Sequence, residues 1–163
     1  MTVPDASARF LLRSPTREDA DLYGRLYTDA ETMKHVAPPW SWGQASANFD
    51  KVLSASTEPR FRYRLWIVAT HAGEPIGVIA LTGDRARAEL GMMLLPAWRS
   101  CGAAQEVVPS VTRHAFDVLG VAKVAARHVD ANEAGARVMK ALGFHPESLA
   151  EAGWQGWYRL REA

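Results

Sequence analysis

The sequence predicts a single α+β domain, and three of its features carry that expectation. Apolar residues recur at helical spacing in four segments, while the segments between them show the alternating or continuous apolar runs of strands. Three of those strand-like runs follow one another with only turn residues between them, as in an antiparallel meander. At 163 residues, with no internal repeat or low-complexity tract, the chain can bury about 68–70% of its unfolded surface in one core without disulfide or metal staples.

Residues 8–13 read as a short strand stopped at Ser14 and Pro15. Thr16 then opens a helix with Glu18 and Asp19 in its first turn, where carboxylates meet the positive end of the helix dipole. Tyr23, Leu26, Tyr27 and Ala30 recur at i, i+3, i+4 and i+7 and give that helix one buried face. A loose segment over 35–44, carrying Pro38, Pro39, Trp40 and Trp42, leads into a second amphipathic stretch with Ala45, Phe49, Val52 and Leu53 on one side. From Arg62 the period becomes two: Tyr63, Leu65, Ile67 and Ala69 share a face, at the apolar density of a central strand. A turn around Gly73 returns the chain through 76–82, and Gly83 and Asp84 turn it again into a strand over 86–95. On that last strand Leu90, Met92 and Leu94 face one way, and Glu89, Gly91 and Met93 the other. A third helix is expected over 102–119, with Val107, Val108, Val111, Ala115 and Val118 buried, a kink at Pro109 and a stop at Gly120. A strand over 121–129, a helix over 132–142 closed by Gly143, and one or two strands over 144–161 complete the chain, with parallel pairing expected only around the third helix.

The overall charge excludes several function classes. A formal net charge of +1 and a pI of about 8.0 supply no strong field for extended nucleic acid or an anionic membrane. Cys101 is the single cysteine, so neither an internal disulfide nor a cysteine zinc site is expected, and the five histidines show no metal-ligand spacing. The first residues lack the basic and apolar regions of a secretion signal, and no apolar run approaches the roughly 20 residues that span a bilayer. These features point to a cytoplasmic protein with no nucleic acid, membrane or metal partner.

The stretch richest in chemistry is Met93-Leu-Leu-Pro-Ala-Trp-Arg-Ser-Cys-Gly-Ala-Ala104, a strand that runs through small residues directly into a helix. Unpaired N–H groups and the positive dipole end at such a helix start make an anion cradle, to which Arg99 adds a charge; a tight connection that needs small residues for packing has the same spacing. No Gly-Lys-Ser/Thr follows, so the loop is not a Walker loop. Asn132-Glu-Ala-Gly-Ala-Arg-Val-Met-Lys-Ala-Leu-Gly-Phe144 resembles the terminal helix signature of the GNAT acetyltransferase superfamily. Arg99-x-x-Gly102-x-Ala104 is similar to that family's pyrophosphate loop, Ala88 to Pro96 to its fourth strand, and Leu12 to Asp21 to its opening, so that the resemblance covers nearly the whole chain. It is closest to the Rim-type branch, which contains ribosomal-protein N-terminal acetyltransferases and relatives acting on small amines.

The resemblance implies a GNAT-like fold: a mixed, mostly antiparallel sheet splayed between its fourth and fifth strands, flanked by about four helices, with acetyl-CoA in the opening and no metal. The pyrophosphate would rest on backbone N–H groups of Ser100, Cys101, Gly102, Ala103 and Ala104, and the pantetheine would pair with Met92, Met93 and Leu94. Asn132 would contact the pantetheine arm or the acetyl end, cap its helix, or both. The activity implied is N-acetyl transfer to a protein N-terminal amine or a small-molecule amine in a ternary complex. A silent CoA-binding module and transfer of another acyl group are the alternatives.

Attack on the thioester needs a neutral amine. At pH 7 deprotonation costs about 1.4 kcal/mol for an α-amine and roughly 4.6 kcal/mol for a lysine, so a carboxylate suffices for the former. Glu89 is the leading candidate base, unless it is a solvated strand residue paired with Arg85 or Arg87; His128 is the reserve. A backbone N–H near Met93 would stabilise the oxyanion. Where many relatives carry an acidic Tyr this chain has Met139, and where some carry Ser it has Gly135, which leaves Tyr158 or unassisted departure of the thiolate. Cys101 replaces a basic or small loop residue and is either inert or open to a mixed disulfide with CoA. Trp40, Trp42, Trp154 and Trp157 are candidate aromatic walls for the acceptor, and the last two also suggest a homodimer face.

Overall fold

The computed structural model describes residues 2–162. One mixed sheet runs in the order β1 (Phe10–Arg13), β2 (Tyr63–Thr70), β3 (Pro75–Gly83), β4 (Ala88–Leu94), β5 (Lys123–Val129), β7 (Trp154–Leu160) and β6 (His145–Glu147). The helices are α1 (Ala20–Thr28), α2 (Ala30–Met33), α3 (Trp42–Thr57), α4 (Ala103–Asp117) and α5 (Glu133–Ala141). All strand pairs are antiparallel except β4 and β5. A parallel pair needs a crossover, and α4 supplies it.

The helix missing from the sequence expectation is the single turn α2. Asp29 adopts extended backbone (φ −80°, ψ 120°), which ends α1, and its carboxylate accepts the Thr32 N–H to cap the new turn. Ala30, expected on the buried face of the first helix, therefore starts α2 and is exposed. The capping box at Thr16 opens a 3-10 turn over Arg17–Asp19, from which α1 continues. The longer helix α4 passes unbroken through Pro109, and Val118 lies just beyond its end, 53% exposed, outside the buried stripe.

The two sheet faces carry separate cores. On one, Trp66, Val68, Ile79, Leu81, Leu90, Val124 and Ala126 pack against Val107, Val108, Val111 and Ala115 of α4 and Met139 of α5. On the other, Leu65, Ile67 and Val78 pack against Leu22, Tyr23 and Leu26 of α1 and Phe49 and Val52 of α3. Leu65 to Ala69 are fully buried, as a strand covered on both sides requires.

Asp19 anchors the start of the α1 layer. Its carboxylate takes two hydrogen bonds from the Arg13 guanidinium (2.6 and 2.8 Å) and one from the Thr16 N–H (2.8 Å). Burial opposes its ionisation most strongly, yet the Arg13 and Thr16 hydrogen bonds and the Arg13 charge outweigh it and hold the carboxyl below its usual range. Because the folded-state value lies below the unfolded one, this contribution is complete above about pH 4 and is lost as pH falls further. Asp19→Asn should cost about 1–3 kcal/mol at pH 7 and shrink the difference from wild type below pH 4, as read from denaturant unfolding across pH.

Candidate active site

β4 and β5 are each seven residues long but pair only at Ala88–Val124 and Glu89–Ala125. Beyond Glu89 they diverge and open a cleft of about 1110 Å³. Gly91, in the middle of a central strand, is exposed as a result. The β5-facing edge of β4 over residues 90–94 has no strand partner, which leaves an extended backbone edge able to pair with an extended ligand.

Which backbone groups face that edge follows from the hairpin. The Asp84 N–H donates to Arg87 O and the Leu95 N–H to Ile76 O, and the register between β3 and β4 has no shift. Strict alternation then directs the odd-numbered N–H groups of β4 to β3, and those of Leu90, Met92 and Leu94 to the cleft. The expected backbone donor near Met93 is therefore not Met93 itself: Met93 lines the cleft, but its own N–H is spent on β3.

The open end of the cleft meets the turn into α4. Arg99, Ser100, Gly102, Ala103 and Ala104 line it, together with Asn132 across the gap. Ser100 (φ 58°) and Gly102 (φ 85°) both adopt left-handed backbone, so two of three consecutive residues curl the chain tightly. No side chain caps α4, and its first N–H groups find no acceptor among the described residues. Cys101 departs from expectation: it does not line the cleft, and its thiol donates to the Trp98 carbonyl (3.0 Å) while packing toward the α4 core. Arg99 braces the turn, with Nε on Leu94 O (3.2 Å) and Nη2 on Thr32 Oγ1 (2.6 Å). Asn132 caps α5 through Oδ1, which accepts the Gly135 N–H (3.0 Å).

The opposite face of the cleft is lined by Tyr27, Tyr63, Thr82, Glu89, Gly91, Met93, Arg127 and Trp154. Tyr63, Thr82 and Glu89 lie in one row across β2, β3 and β4. Burial pushes the phenols of Tyr27 and Tyr63 up, so both are neutral O–H groups. Glu89 is paired with Arg127 Nε (3.1 Å) and not with Arg85 or Arg87. Arg127 also binds Glu151 (2.9 Å) and lies over the Trp154 ring.

Several predicted site residues sit elsewhere. Trp40 stacks on Tyr27, and Trp42, 53% exposed, covers Gly24; neither lines the cleft. Tyr158 faces Lys123 and His145 on the outer part of the sheet and does not reach in. His128 lines the cleft, but its hydrogen bonds fix its state. Nε2 accepts from the Trp157 indole N–H (2.9 Å), which can only donate, and Nδ1 meets the Val129 carbonyl (2.9 Å), which can only accept. Its one lone pair is occupied, which removes it as a reserve base. With Trp157 buried against His128 and Trp154 in the cleft, both tryptophans that suggested a dimer face have partners within the chain. Among the described residues no cluster of three or more His, Cys, Asp or Glu could hold a metal, and no helix is long and apolar enough to cross a membrane.

Residues 9–145 match the family model for the acetyltransferase (GNAT) domain. The chain is 27% identical over 146 residues to the uncharacterized N-acetyltransferase YoaA of Bacillus subtilis (strain 168), a match covering 86% of this chain and 82% of that protein. Its fold is similar to that of spermidine N-acetyltransferase from Vibrio cholerae, solved with CoA and spermine (TM-score 0.81, 18% identity, 93% and 95% of the two chains). It is equally similar to RimL, a ribosomal-protein α-N-acetyltransferase solved with CoA (TM-score 0.83, 13% identity, 98% of each chain). A matched domain model spanning most of the chain, on a sheet that parts where a GNAT sheet is expected to part, makes this protein a member of the GNAT acetyltransferase family.

Proposed function

We propose that the protein binds acetyl-CoA in the splay and transfers its acetyl group to a primary amine held on the Glu89, Gly91 and Met93 face. The observation that carries this reading is the unpaired β4 edge over residues 90–94 ending beside the uncapped N-terminus of α4. An extended pantetheine arm satisfies the first and a pyrophosphate the second. The CoA complexes of the spermidine and ribosomal-protein acetyltransferases support the same donor. Their acceptors are a polyamine and a protein amino terminus, which makes a primary amine the shared acceptor class.

With the pyrophosphate at Ser100 to Ala104, the acetyl end lies toward the closed end of the splay, near Glu89. Glu89 takes the proton from the attacking amine, directly or through water, and the Met92 N–H meets the oxygen that becomes negative in the tetrahedral intermediate. Collapse of that intermediate breaks the C–S bond and releases CoA as thiolate. The gap left by Gly135 offers no hydroxyl, and a Cβ there would already lie within 3.3 Å of Asn132 and His128. Met139 is likewise buried in the core and carries no acid.

Calorimetry with acetyl-CoA should show saturable 1:1 binding, and thiol release across a panel of amines and N-terminal peptides should identify the acceptor. Binding without turnover on any amine would establish the silent module instead. Glu89→Gln should lower kcat/KM at pH 7 by about 10²-fold and recover toward wild type at high pH, where the amine deprotonates unaided. An unchanged pH profile would remove Glu89 from the mechanism. Gly91→Val should fold with wild-type stability, because nothing lies within 4 Å of its Cβ position, yet lose at least about tenfold in turnover by filling the acceptor face. Retained activity in that variant would show that the acceptor binds elsewhere.

A further inference from the structure

We propose that Arg9, just before β1, is a positioning residue for the phosphate-binding turn. The inference rests on the reading that this turn receives the pyrophosphate of CoA. Arg9 is not part of the cleft wall and holds the turn from behind. Its Nη2 donates to the Cys101 carbonyl (2.8 Å), and its Nε and backbone N–H both donate to the Glu106 carboxylate (2.5 and 3.1 Å).

Two consequences follow from these bonds. The Cys101–Gly102 peptide is trans and planar, so its N–H points opposite to its C=O. Holding the carbonyl outside on Arg9 therefore holds the Gly102 N–H toward the cleft, where an anion needs a donor. A free carbonyl would let this peptide rotate and present an oxygen to the phosphate. The second consequence is electrostatic: Glu106 lies in the first turn of α4, and Arg9 offsets a negative charge that would repel the phosphate. The guanidinium also lies 3.0 Å from where a Gly102 Cβ would be, so a side chain at that position would press on the brace as well as strain the left-handed backbone.

Arg9→Met keeps the backbone bond to Glu106, which leaves β1 docked on α4. Calorimetric Kd for CoA should rise about tenfold, with the melting temperature and kcat at saturating acetyl-CoA within twofold of wild type. S-acetylpantetheine, which lacks the phosphates, should keep its kcat/KM within twofold. Arg9→Lys, able to serve the carbonyl or the carboxylate but not both, should fall between. A CoA affinity within twofold of wild type in Arg9→Met, or an equal loss toward S-acetylpantetheine, overturns the role of Arg9. Wild-type protein that takes up no CoA overturns the donor reading itself, and that outcome is read without any variant.

Discussion

The structure depends on a hydrogen-bond ladder that stops early. β4 and β5 share two residue pairs and then separate, although β4 continues for five more residues and β5 for four. Both lips are paired along their outer edges, β4 to β3 over all seven of its residues and β5 to β7 over all seven of its own, so the unpaired backbone is confined to the inner edges. The parallel sense of the pair has a further effect. It forces a crossover, and the crossover helix α4 starts directly beyond the open end of β4, so an extended backbone edge and a helix N-terminus meet at one place. A pantetheine pyrophosphate has that same order of parts.

Around this opening the charges are arranged locally, which is why a net charge of +1 says little about the ligand. Arg99 and Arg9 are both engaged by oxygen atoms of the protein at the turn, so an anion bound there, as proposed, would meet backbone dipoles. On the opposite face of the cleft Arg127 is shared by Glu89 and Glu151. That network holds Glu89 in place at the closed end of the splay.

Much of the fold was legible because it rests on local signals. β2, β3 and β4 follow from period-two runs between turn residues, and the facing of Leu90, Met92 and Leu94 against Glu89, Gly91 and Met93 follows from the pleat. The direction of the β4 backbone groups was not legible. It depends on which residues of the hairpin form hydrogen-bonded pairs, a fact set at Asp84 and Arg87 and carried along the strand by alternation. Side-chain face and backbone direction are separate properties, which is how Met93 lines the cleft while its own N–H turns to β3. The tryptophans failed for another reason: composition marks them as large apolar surfaces, but only tertiary packing decides that Trp154 lines the cleft while Trp42 covers Gly24. Arg9 had no sequence signal at all, since it acts across a gap of 92 residues.

In the proposed reaction a thiol that leaves without acid assistance matches what surrounds the cleft among the described residues. His128 has committed its lone pair to Trp157, and the phenols of Tyr27 and Tyr63 are pushed up by burial, away from the range in which they would hand over a proton readily. A thiol near 8.5 leaves as thiolate at pH 7 for only about 2 kcal/mol, against roughly 4.6 kcal/mol to strip a lysine-like ammonium. For a lysine-like acceptor the larger cost therefore lies in preparing the amine, whereas for an α-amine, at about 1.4 kcal/mol, the two costs are comparable. With Glu89 as the proposed base, the ionisable group falls on the amine's side of the reaction, which is where a lysine-like acceptor incurs the larger cost.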